Sequence, residues 1–308
     1  MKKLLILSGK GGTGKTTIAS AFIELSHSKA FADCDVDAPN LHLIHRSFEH
    51  EHQFDYFGMN KAWIDEKMCV GCGICKEMCR FDAIDFNGRY KVNPFSCEGC
   101  GVCERVCPVQ AIKMIKHKAG DLSLFEGHAV FSTAKLSMGN GTSGMLVTEV
   151  KKKLNAQIEA DEKKGKVYDQ HEYAIIDGSP GIGCPVIASI SGVDMVLIVT
   201  EPSVSGISDM KRIVETAKSF MPKIAVCINK YDTNSKLSDE IEDYCLKNNI
   251  DFVGRVPYDA DAVKAVNEGL TIVSKNSLAS MAVKDVHEKT VGILFNSEKE
   301  HVFNIKRI

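Results

Sequence analysis

Residues 9–17 read GKGGTGKTT, and this stretch decides the fold. A short apolar strand is predicted just before it, over residues 3–8, and apolar residues at helical spacing follow it from Ile18 to Leu25. Strand, glycine-rich loop and helix in this order are the context that a phosphate-binding loop requires. Glycines let backbone N–H groups crowd around phosphate oxygens, and the start of the helix adds partial positive charge. The sequence therefore predicts a nucleotide site at this loop.

The residues of the loop are predicted to play separate chemical roles. Lys15 would reach the β- and γ-phosphates of the nucleotide, and the Thr16 hydroxyl would ligate Mg²⁺. Other contacts are expected from the remaining positions of the loop, namely Gly11, Gly12, Thr13, Gly14 and Thr17. The alternative, a chance glycine turn, does not explain why the strand, the Lys-Thr pair and the helix occur together.

An additional lysine, Lys10, stands near the start of the loop. This variant resembles the deviant Walker A motif of the P-loop ATPase family that contains MinD, ParA, Mrp and the nitrogenase iron protein. The resemblance implies that the nucleotide is ATP and that the protein forms a homodimer with ATP at its interface. It further implies that Lys10 reaches across to the nucleotide of the partner subunit. Taken alone, Lys10 could equally be a solvated loop lysine.

Two acidic strand ends resemble the same family. Residues 30–35 are predicted to form a strand that ends in acids, and the resemblance implies that Asp35 orients or activates the attacking water in the first switch. Asp33 could simply end this strand. Residues 173–177 form a second apolar strand, whose last residue, Asp177, would hold Mg²⁺ through water. The glycine-rich segment that follows is similar to the family's second switch.

The C-terminal part of the chain predicts further strands and helices in alternation. Buried strands are predicted over residues 195–200 and 224–229, with helices over roughly 205–219 and 237–248. This alternation indicates an α/β fold with a doubly wound, mostly parallel sheet. Ligands bind such sheets at the carboxyl ends of the strands.

The residues that would bind the base of the nucleotide are assigned from the resemblance. Asn229 ends one of these strands, and the family resemblance implies that it contacts the adenine. Pro257 and Tyr258 resemble the segment that lines the other side of the base. Ordinary loop chemistry is the alternative interpretation for both segments.

Eight of the twelve cysteines lie between residues 69 and 107. They form two runs with the spacing C-x2-C-x2-C-x3-C, offset by 28 residues. The first run consists of Cys69, Cys72, Cys75 and Cys79, and the second of Cys97, Cys100, Cys103 and Cys107. The similarity extends beyond the cysteines, because residues 83–84 and 111–112 both read Ala-Ile, so the chain contains two copies of one small unit.

These runs resemble a bacterial-type ferredoxin with two [4Fe–4S] clusters, in which the fourth cysteine of each run ligates the other cluster. The implied ligand sets are Cys69, Cys72, Cys75 with Cys107, and Cys97, Cys100, Cys103 with Cys79. Structural zinc is the main alternative, but zinc sites typically use two C-x2-C pairs set further apart. The chain departs from the ferredoxin pattern once, since Arg80 stands where the second run has Pro108.

The cysteine unit interrupts the nucleotide-binding fold instead of following it. The predicted boundaries are residues 1–58 for the first part of the ATPase domain, 59–118 for the inserted α+β ferredoxin domain and 119–308 for the second part. After the insert, alternating residues over 121–135 predict a hairpin, and a helix is predicted to open at residue 143. The whole chain thus resembles a MinD-superfamily ATPase with an inserted ferredoxin domain.

This resemblance implies a nucleotide switch coupled to electron transfer, with a redox or metallocofactor protein as partner. The alternative is an Mrp-like ATPase for assembly or delivery of iron–sulfur or other metallocofactors. The net charge is −2, so the chain lacks the excess of basic residues that is typical of a nucleic-acid-binding protein. No apolar run approaches the length of a membrane span. The cysteine pattern favours metal-bound thiolates in a reducing, cytoplasmic setting over a secreted disulfide framework.

The remaining cysteines and the histidines receive simpler interpretations. Cys34, Cys227 and Cys245 lie in apolar patterns and are predicted to be core residues. Cys184, seven residues after Asp177, is interpreted as a small buried residue in preference to a metal ligand. The histidine-rich stretch is predicted to be solvated; its members are His42, His45, His50 and His52.

Overall fold

The computed structural model describes residues 1–45, 48–165 and 172–296. Within these ranges the strands are β1 (Lys2–Leu7), β2 (Ala30–Asp33), β3 (His50–Phe57), β4 (Lys61–Ile64), β5 (Ile84–Phe86), β6 (Tyr90–Val92), β7 (Ile112–Ile115), β8 (Lys118–Glu126), β9 (Val130–Leu136), β10 (Tyr173–Asp177), β11 (Met195–Thr200), β12 (Lys223–Asn229) and β13 (Asp251–Val256). The α-helices are α1 (Lys15–Ser26), α2 (Ile74–Glu77), α3 (Val102–Val106), α4 (Ser143–Lys163), α5 (Cys184–Ile190), α6 (Val204–Lys218), α7 (Ser235–Lys247), α8 (Ala260–Asn267) and α9 (Leu278–Phe295).

A large sheet dominates the described part of the chain, with the strand order β13-β12-β11-β1-β10-β2-β9-β8-β3. From β13 to β9 all neighbouring strands run parallel, whereas β8 and β3 add an antiparallel edge. This order confirms the predicted α/β fold with a mostly parallel sheet. It also places the start of the chain, β1, in the middle of the sheet.

Helices bury both faces of this sheet, and β1 shows why. Its run of apolar residues alternates between the two faces, because successive side chains of a strand point in opposite directions. Leu5 and Leu7 pack into the core that is covered by α4, α5, α6 and α7. Leu4 and Ile6 pack into the opposite core, beneath α1 and α9.

The antiparallel edge was predicted only in part. The hairpin predicted over 121–135 is confirmed by β8 and β9, which pair from Gly120 with Leu136 to Phe125 with Phe131. The edge strand β3 was not predicted. Its sequence, HEHQFDYF, has a single buried residue, Tyr56, so it lacks the apolar alternation that marks a half-buried strand.

The cysteine unit emerges between β3 and β8, whose ends pair at Phe57 and Lys118. It contains two small antiparallel sheets, β4 with β7 and β5 with β6, and the short helices α2 and α3. Its core is separate from those of the large sheet and is small. The buried members are Ala62, Ile64, Cys75, Ala83, Ile84, Cys97, Cys103 and Ile112.

None of the helices in the described ranges has the length and apolar character needed to cross a bilayer.

Candidate functional site

The glycine-rich loop connects β1 to α1 at the carboxyl edge of the sheet. Gly14 precedes α1 with a φ of +88°, a left-handed conformation that strongly favours glycine. A Cβ at this position would lie 2.3 Å from Asn229 Nδ2. That amide instead donates a hydrogen bond of 2.7 Å to the carbonyl of Thr13. The missing side chain therefore lets the end of β12 hold the loop.

Lys15, Thr16 and Asp177 converge at the start of α1. The Lys15 ammonium lies 2.5 Å from Asp177 Oδ1, and the Thr16 hydroxyl donates to Oδ2 at 2.7 Å. Lys15 and Asp177 are buried. Burial alone would lower the pKa of Lys15, but the adjacent Asp177 carboxylate holds that pKa above its ordinary value. The arrangement presents a fixed cation together with hydroxyl and carboxylate oxygens, the ligands that Mg²⁺ prefers.

Asp33 has a role that the sequence did not reveal. Its carboxylate accepts backbone N–H groups from Asp35 at 3.0 Å, Asn40 at 2.9 Å and Leu41 at 3.0 Å. Burial, followed by the charge of Asp177, raises the pKa of Asp33 to about 7. The interpretation of Asp33 as a mere strand end is too simple, because this side chain holds the backbone of the predicted first switch.

Asp35, the predicted water-orienting residue, lies two positions beyond the end of β2. Burial, with a contribution from Asp177, raises its pKa, although Lys15 opposes the shift. Asp35 and Asp177 are therefore close enough for their charges to interact with Lys15. The structure brings together these predicted polar residues of three separate segments at one edge of the sheet.

The predicted base-binding residues also meet. Asn229, Pro257 and Tyr258 line one cavity of about 220 Å³, and Gly12 and Gly14 form its other side. Its apolar walls consist of Ile18, Val256, Ala262, Val263, Val266, Ile272 and Val283. A mostly apolar cavity with an asparagine side chain in its lining suits a planar base.

A second cavity, of about 550 Å³, lies beside His45, at the other end of α1. None of the predicted nucleotide-binding residues lines it. His45 is half-buried and burial lowers its pKa, so the prediction that it is solvated is wrong. Its ring packs against Phe31. The other three histidines of the stretch are exposed as predicted; they are His42, His50 and His52.

In the cysteine unit, the fourth cysteine of the second run joins the first run. Four cysteines, Cys69, Cys72, Cys75 and Cys107, are among the residues that line one small, largely apolar cavity. Burial raises the pKa of Cys75, and the other three cysteines of this set add to the shift. Cys107 Sγ also accepts the backbone N–H of Ala111 at 3.3 Å. These four residues are one of the two predicted ligand sets.

In the second predicted set, three of the four cysteines, Cys97, Cys100 and Cys103, are close enough for their charges to interact. Burial raises the pKa of Cys103 to about 11, with further contributions from Cys97 and Cys100. Cys79 packs against the small core that contains Cys97 and Cys103. The repeat is also visible in the backbone, where four glycines share a φ between +70° and +81°: Gly71, Gly73, Gly99 and Gly101.

Residues 4–272 match the family model described as the CobQ/CobB/MinD/ParA nucleotide binding domain. This chain belongs to that family. An uncharacterized protein of Methanocaldococcus jannaschii is 33% identical over 293 residues, which cover 93% of this chain and 95% of that protein. A protein of Pyrococcus horikoshii named iron-sulfur cluster carrier protein is 25% identical over 311 residues, covering 95% of this chain and 86% of its own length.

Solved structures of the family share the fold. The septum site-determining protein MinD of Pyrococcus horikoshii, solved with Mg-ADP, superposes with a TM-score of 0.52 at 18% identity. The match covers 96% of this chain and 99% of that one. The MinD cell division protein of Aquifex aeolicus gives a TM-score of 0.51 at 19% identity, with coverage of 95% and 97%. The family model over residues 4–272 confirms the predicted superfamily, and these structures agree with its fold.

Within the family fold, the segment after β10 lies against the glycine-rich loop. The backbone N–H of Gly181 donates to the carbonyl of Ser8 at 3.0 Å. The Ser179 hydroxyl donates to the backbone carbonyl of Cys34 at 2.5 Å. Cys184 follows as the first residue of α5 and is exposed. The prediction that Cys184 is buried is therefore wrong, because the first turn of α5 faces solvent. Cys34, Cys227 and Cys245 are buried as predicted.

Lys10, the family's early lysine, lies at the surface with its side chain 40% exposed. Its ammonium is 3.6 Å from Glu201, which also pairs with Lys230 at 2.6 Å. Lys230 in turn donates to the carbonyl of Gly12 at 3.2 Å. Glu201 and Lys230 were not predicted as site residues. Both follow buried strands, β11 and β12, and this position at the carboxyl edge is the signal that would have identified them.

Proposed function

We propose that this protein binds and hydrolyses ATP and that this switch is coupled to electron transfer through two [4Fe–4S] clusters to a partner protein. One observation carries the proposal. Cys107 of the second run shares a cavity with Cys69, Cys72 and Cys75 of the first, within a chain of the CobQ/CobB/MinD/ParA family. This is the crossed arrangement expected of a two-cluster unit.

The nucleotide chemistry would use the residues that converge at the carboxyl edge. Lys15 and the loop backbone would hold the phosphates, and Asn229 the adenine. Thr16 would ligate Mg²⁺ directly and Asp177 through water, while Asp35 would orient the attacking water. Charge and positioning account for most of the catalysis of phosphoryl transfer, and a buried lysine paired with a carboxylate is suited to both.

The early lysine supports a dimer with ATP at its interface. Lys10 is 40% exposed, and its pairing with Glu201 at 3.6 Å is the longer of the two ion pairs that Glu201 makes. A surface ion pair of this kind contributes at most about 1 kcal/mol, so the side chain is free to exchange partners. We propose that Lys10 contacts the ATP of a second copy of this chain.

The cysteine unit fits the two-cluster assignment. Within the described residues, no three His, Cys, Asp or Glu side chains converge as tightly as a single metal ion requires. The four cysteines of the first set line one small cavity together with apolar residues, and a group that accepts one thiolate at each of several corners needs such a shared site. When bound, the clusters would supply one-electron transfer. We propose that residues 59–118 form this unit, inserted between residues 1–58 and 119–308.

The thiols of each set need a cation to ionise together. Burial, with smaller contributions from the neighbouring cysteines, raises the pKa values of Cys75 and Cys103, so as free thiols they retain their protons at neutral pH. Binding of a metal group would release these protons. Gly73 and Gly101 lie within the two cysteine runs and precede α2 and α3 with positive φ.

Assembly or delivery of iron–sulfur groups is the second candidate function. It is favoured by the relatives named iron-sulfur cluster carrier protein, which are 24 to 25% identical and aligned over 95% of this chain. The placement of the thiols opposes it, because Cys75, Cys97 and Cys103 are buried within a folded core. Such sites are better suited to resident groups than to cargo.

The test is to purify the protein without oxygen and to measure iron and sulfide. We expect about eight of each per chain, because each [4Fe–4S] cluster holds four. Cys107→Ser should lose iron, whereas the matched control Cys184→Ser, at an exposed cysteine outside the unit, should keep its full content. Equal iron in the two variants would contradict the assignment of Cys107.

The two candidate functions differ in what they do with the iron. ATP hydrolysis should be measured with the protein oxidised and reduced. A rate that changes with redox state supports coupled electron transfer. A rate independent of redox state, together with transfer of iron and sulfide to an apo-protein, would replace this proposal with the delivery function.

A further inference from the structure

One segment touches both predicted switches and the cysteine unit. We call residues 136–144, which run from the last residue of β9 to the second residue of α4, the junction segment. At its start, the backbone N–H of Leu136 donates to the carbonyl of Val36, in the first switch, at 2.8 Å. The next residue, Ser137, donates to the carbonyl of Ala119 at 2.8 Å. The junction segment is therefore tied to the first switch through its backbone.

The middle of the junction segment packs against the second cysteine run. A Cβ at Gly139 would lie 2.9 Å from Phe95 Cδ1, and one at Gly141 would lie 3.2 Å from Glu98 Oε2. Phe95 and Glu98 flank Cys97, a member of the second predicted ligand set. Because Gly139 and Gly141 have no side chain, the Phe95 and Glu98 side chains approach the backbone of the junction segment more closely than a larger residue there would allow.

The end of the junction segment packs against the second switch. A Cβ at Gly144 would lie 3.1 Å from the carbonyl oxygen of Cys184, at the start of α5. At the other end of α5, the Lys151 ammonium of α4 donates to the carbonyls of Ala188, Ser189 and Ser191 at 2.9, 2.6 and 2.5 Å. Helix α4 thus holds both ends of α5, so the two helices are expected to move together.

We propose that the junction segment couples the nucleotide site to the second cysteine run, with Phe95 and Glu98 as positioning residues. This inference rests on the proposed function and names the route by which it is regulated. Phe95 is 68% exposed and Glu98 is also exposed, so the contact lies at the surface and consists of these two side chains against the glycines of the junction segment. A movement of either switch therefore displaces residues 136–144, and the Phe95 and Glu98 side chains pass this displacement on to the segment that contains Cys97.

Linkage makes the coupling measurable from either side. If nucleotide changes the affinity of the protein for an electron, reduction changes its affinity for nucleotide by the same factor. A tenfold change in nucleotide affinity corresponds to a shift of about 59 mV for a one-electron couple. The reduction potential is to be measured with and without MgATP, and the dissociation constant of MgATP with the protein oxidised and reduced.

The variants test the route itself. Phe95→Ala removes the contact with Gly139, and Phe86→Ala is the matched control, since that exposed ring packs against Tyr90 in the same unit. We expect Phe95→Ala to keep its iron and its ATP hydrolysis but to lose the nucleotide-dependent shift. Phe86→Ala should keep the shift. Glu98→Gln should weaken it, because the variant removes the charge that faces Gly141.

Hydrogen exchange provides a readout that is independent of potential. In the wild-type protein, MgATP should slow exchange in residues 136–144 and 95–103 together, and Phe95→Ala should confine the change to residues 136–144. A Phe95→Ala variant that keeps both the shift and the joint protection would overturn the route while leaving the proposed function standing. A wild-type protein with complete iron and no shift would overturn both.

Discussion

At Gly14 the backbone conformation and a contact both exclude a side chain. Its φ is +88°, and an added Cβ would lie 2.3 Å from Asn229 Nδ2. We predict that Gly14→Ala lowers the free energy of unfolding by about 1–2 kcal/mol from the left-handed conformation alone, with a further loss from displacement of Asn229. Urea unfolding without nucleotide measures this change.

Gly11→Ala is the control for this prediction, in the same loop. Gly11 has no positive φ, and a Cβ there would meet no atom within 4 Å. Its unfolding free energy should stay within about 0.5 kcal/mol of the wild type. If the two variants lost stability equally, the conformational argument for Gly14 would be wrong.

The two lysines of the loop should separate binding from dimer formation. Lys15 is buried against Asp177, whereas Lys10 lies at the surface. We predict that Lys15→Gln weakens MgATP binding about 10- to 100-fold, because a hydrogen bond to a charged group contributes about 1.5–3 kcal/mol. Lys10→Gln should leave this affinity within about threefold but abolish ATP-dependent dimer formation.

Equilibrium binding and sedimentation, with circular dichroism as a check of folding, measure these two effects. The proposed division of roles fails if Lys10→Gln weakens nucleotide binding by the chain alone as strongly as Lys15→Gln does. It also fails if Lys10→Gln still forms the ATP-dependent dimer.

Residues with a defined chemical role were predictable from sequence when their role depends on neighbours in the chain. Lys15, Thr16 and Gly14 belong to one loop, and the loop pattern identified them. Asp33 was missed as a structural acid because its partners, the N–H groups of residues 35, 40 and 41, are set by the path of the chain. Cys184 was misjudged because exposure at the start of a helix depends on what covers that helix.

At the scale of elements, the predicted strands and helices are correct where the element is buried against the core. Strand β10 occupies Tyr173–Asp177 as predicted, and β11 occupies Met195–Thr200, because strands covered on both faces are continuously apolar. The helices predicted at 205–219 and 237–248 match α6 and α7 within two residues. Strand β3 could not be predicted, since it lies at the edge of the sheet and its side chains are mostly exposed.

Lys151, which joins α4 to α5, should make the free energy of unfolding depend on pH. Burial lowers the pKa of Lys151 to about 8, from an ordinary value of 10.5. Between these pH values the folded protein has released a proton that the unfolded chain still holds. The free energy of unfolding of the wild type should therefore rise with pH in this window, by roughly 3 kcal/mol in total relative to Lys151→Met.

Urea unfolding of both proteins at pH 7, 8, 9 and 10 measures this difference. Comparison with Lys151→Met cancels the titration of all other groups. Below pH 8 the cost of the buried charge is fully present, so the two curves should run parallel there. Parallel curves up to pH 10 would contradict the prediction, and would mean that the three carbonyls of α5 compensate for the loss of hydration.

At the scale of the whole molecule, the large sheet and the cysteine unit have separate cores. The two cores of the sheet contain no residue of the stretch 59–118, and the core of the unit contains only residues of that stretch. The two parts meet at the paired ends of β3 and β8 and at the junction segment. The sequence pointed to this division through the cysteine repeat, but it gave no sign of the contacts with residues 136–144, which are made against glycines.

Separate cores predict separate stabilities when iron is removed. The unit has few buried apolar residues, and a core of this size does not stabilise some sixty residues without metal or another cross-link. Treatment with an iron chelator should therefore abolish hydrogen-exchange protection in β4, β5, β6 and β7. Strands β1, β10 and β11 should keep theirs, because their cores are complete without the unit.

Loss of protection across the whole chain in one step would show that the two parts fold as one. Full protection of β4 and β7 after removal would show that the thiols stabilise the unit without iron. In the predicted case the nucleotide site stays folded after the cysteine unit has unfolded. MgATP should therefore still bind the iron-free protein, but it should no longer slow hydrogen exchange in residues 95–103.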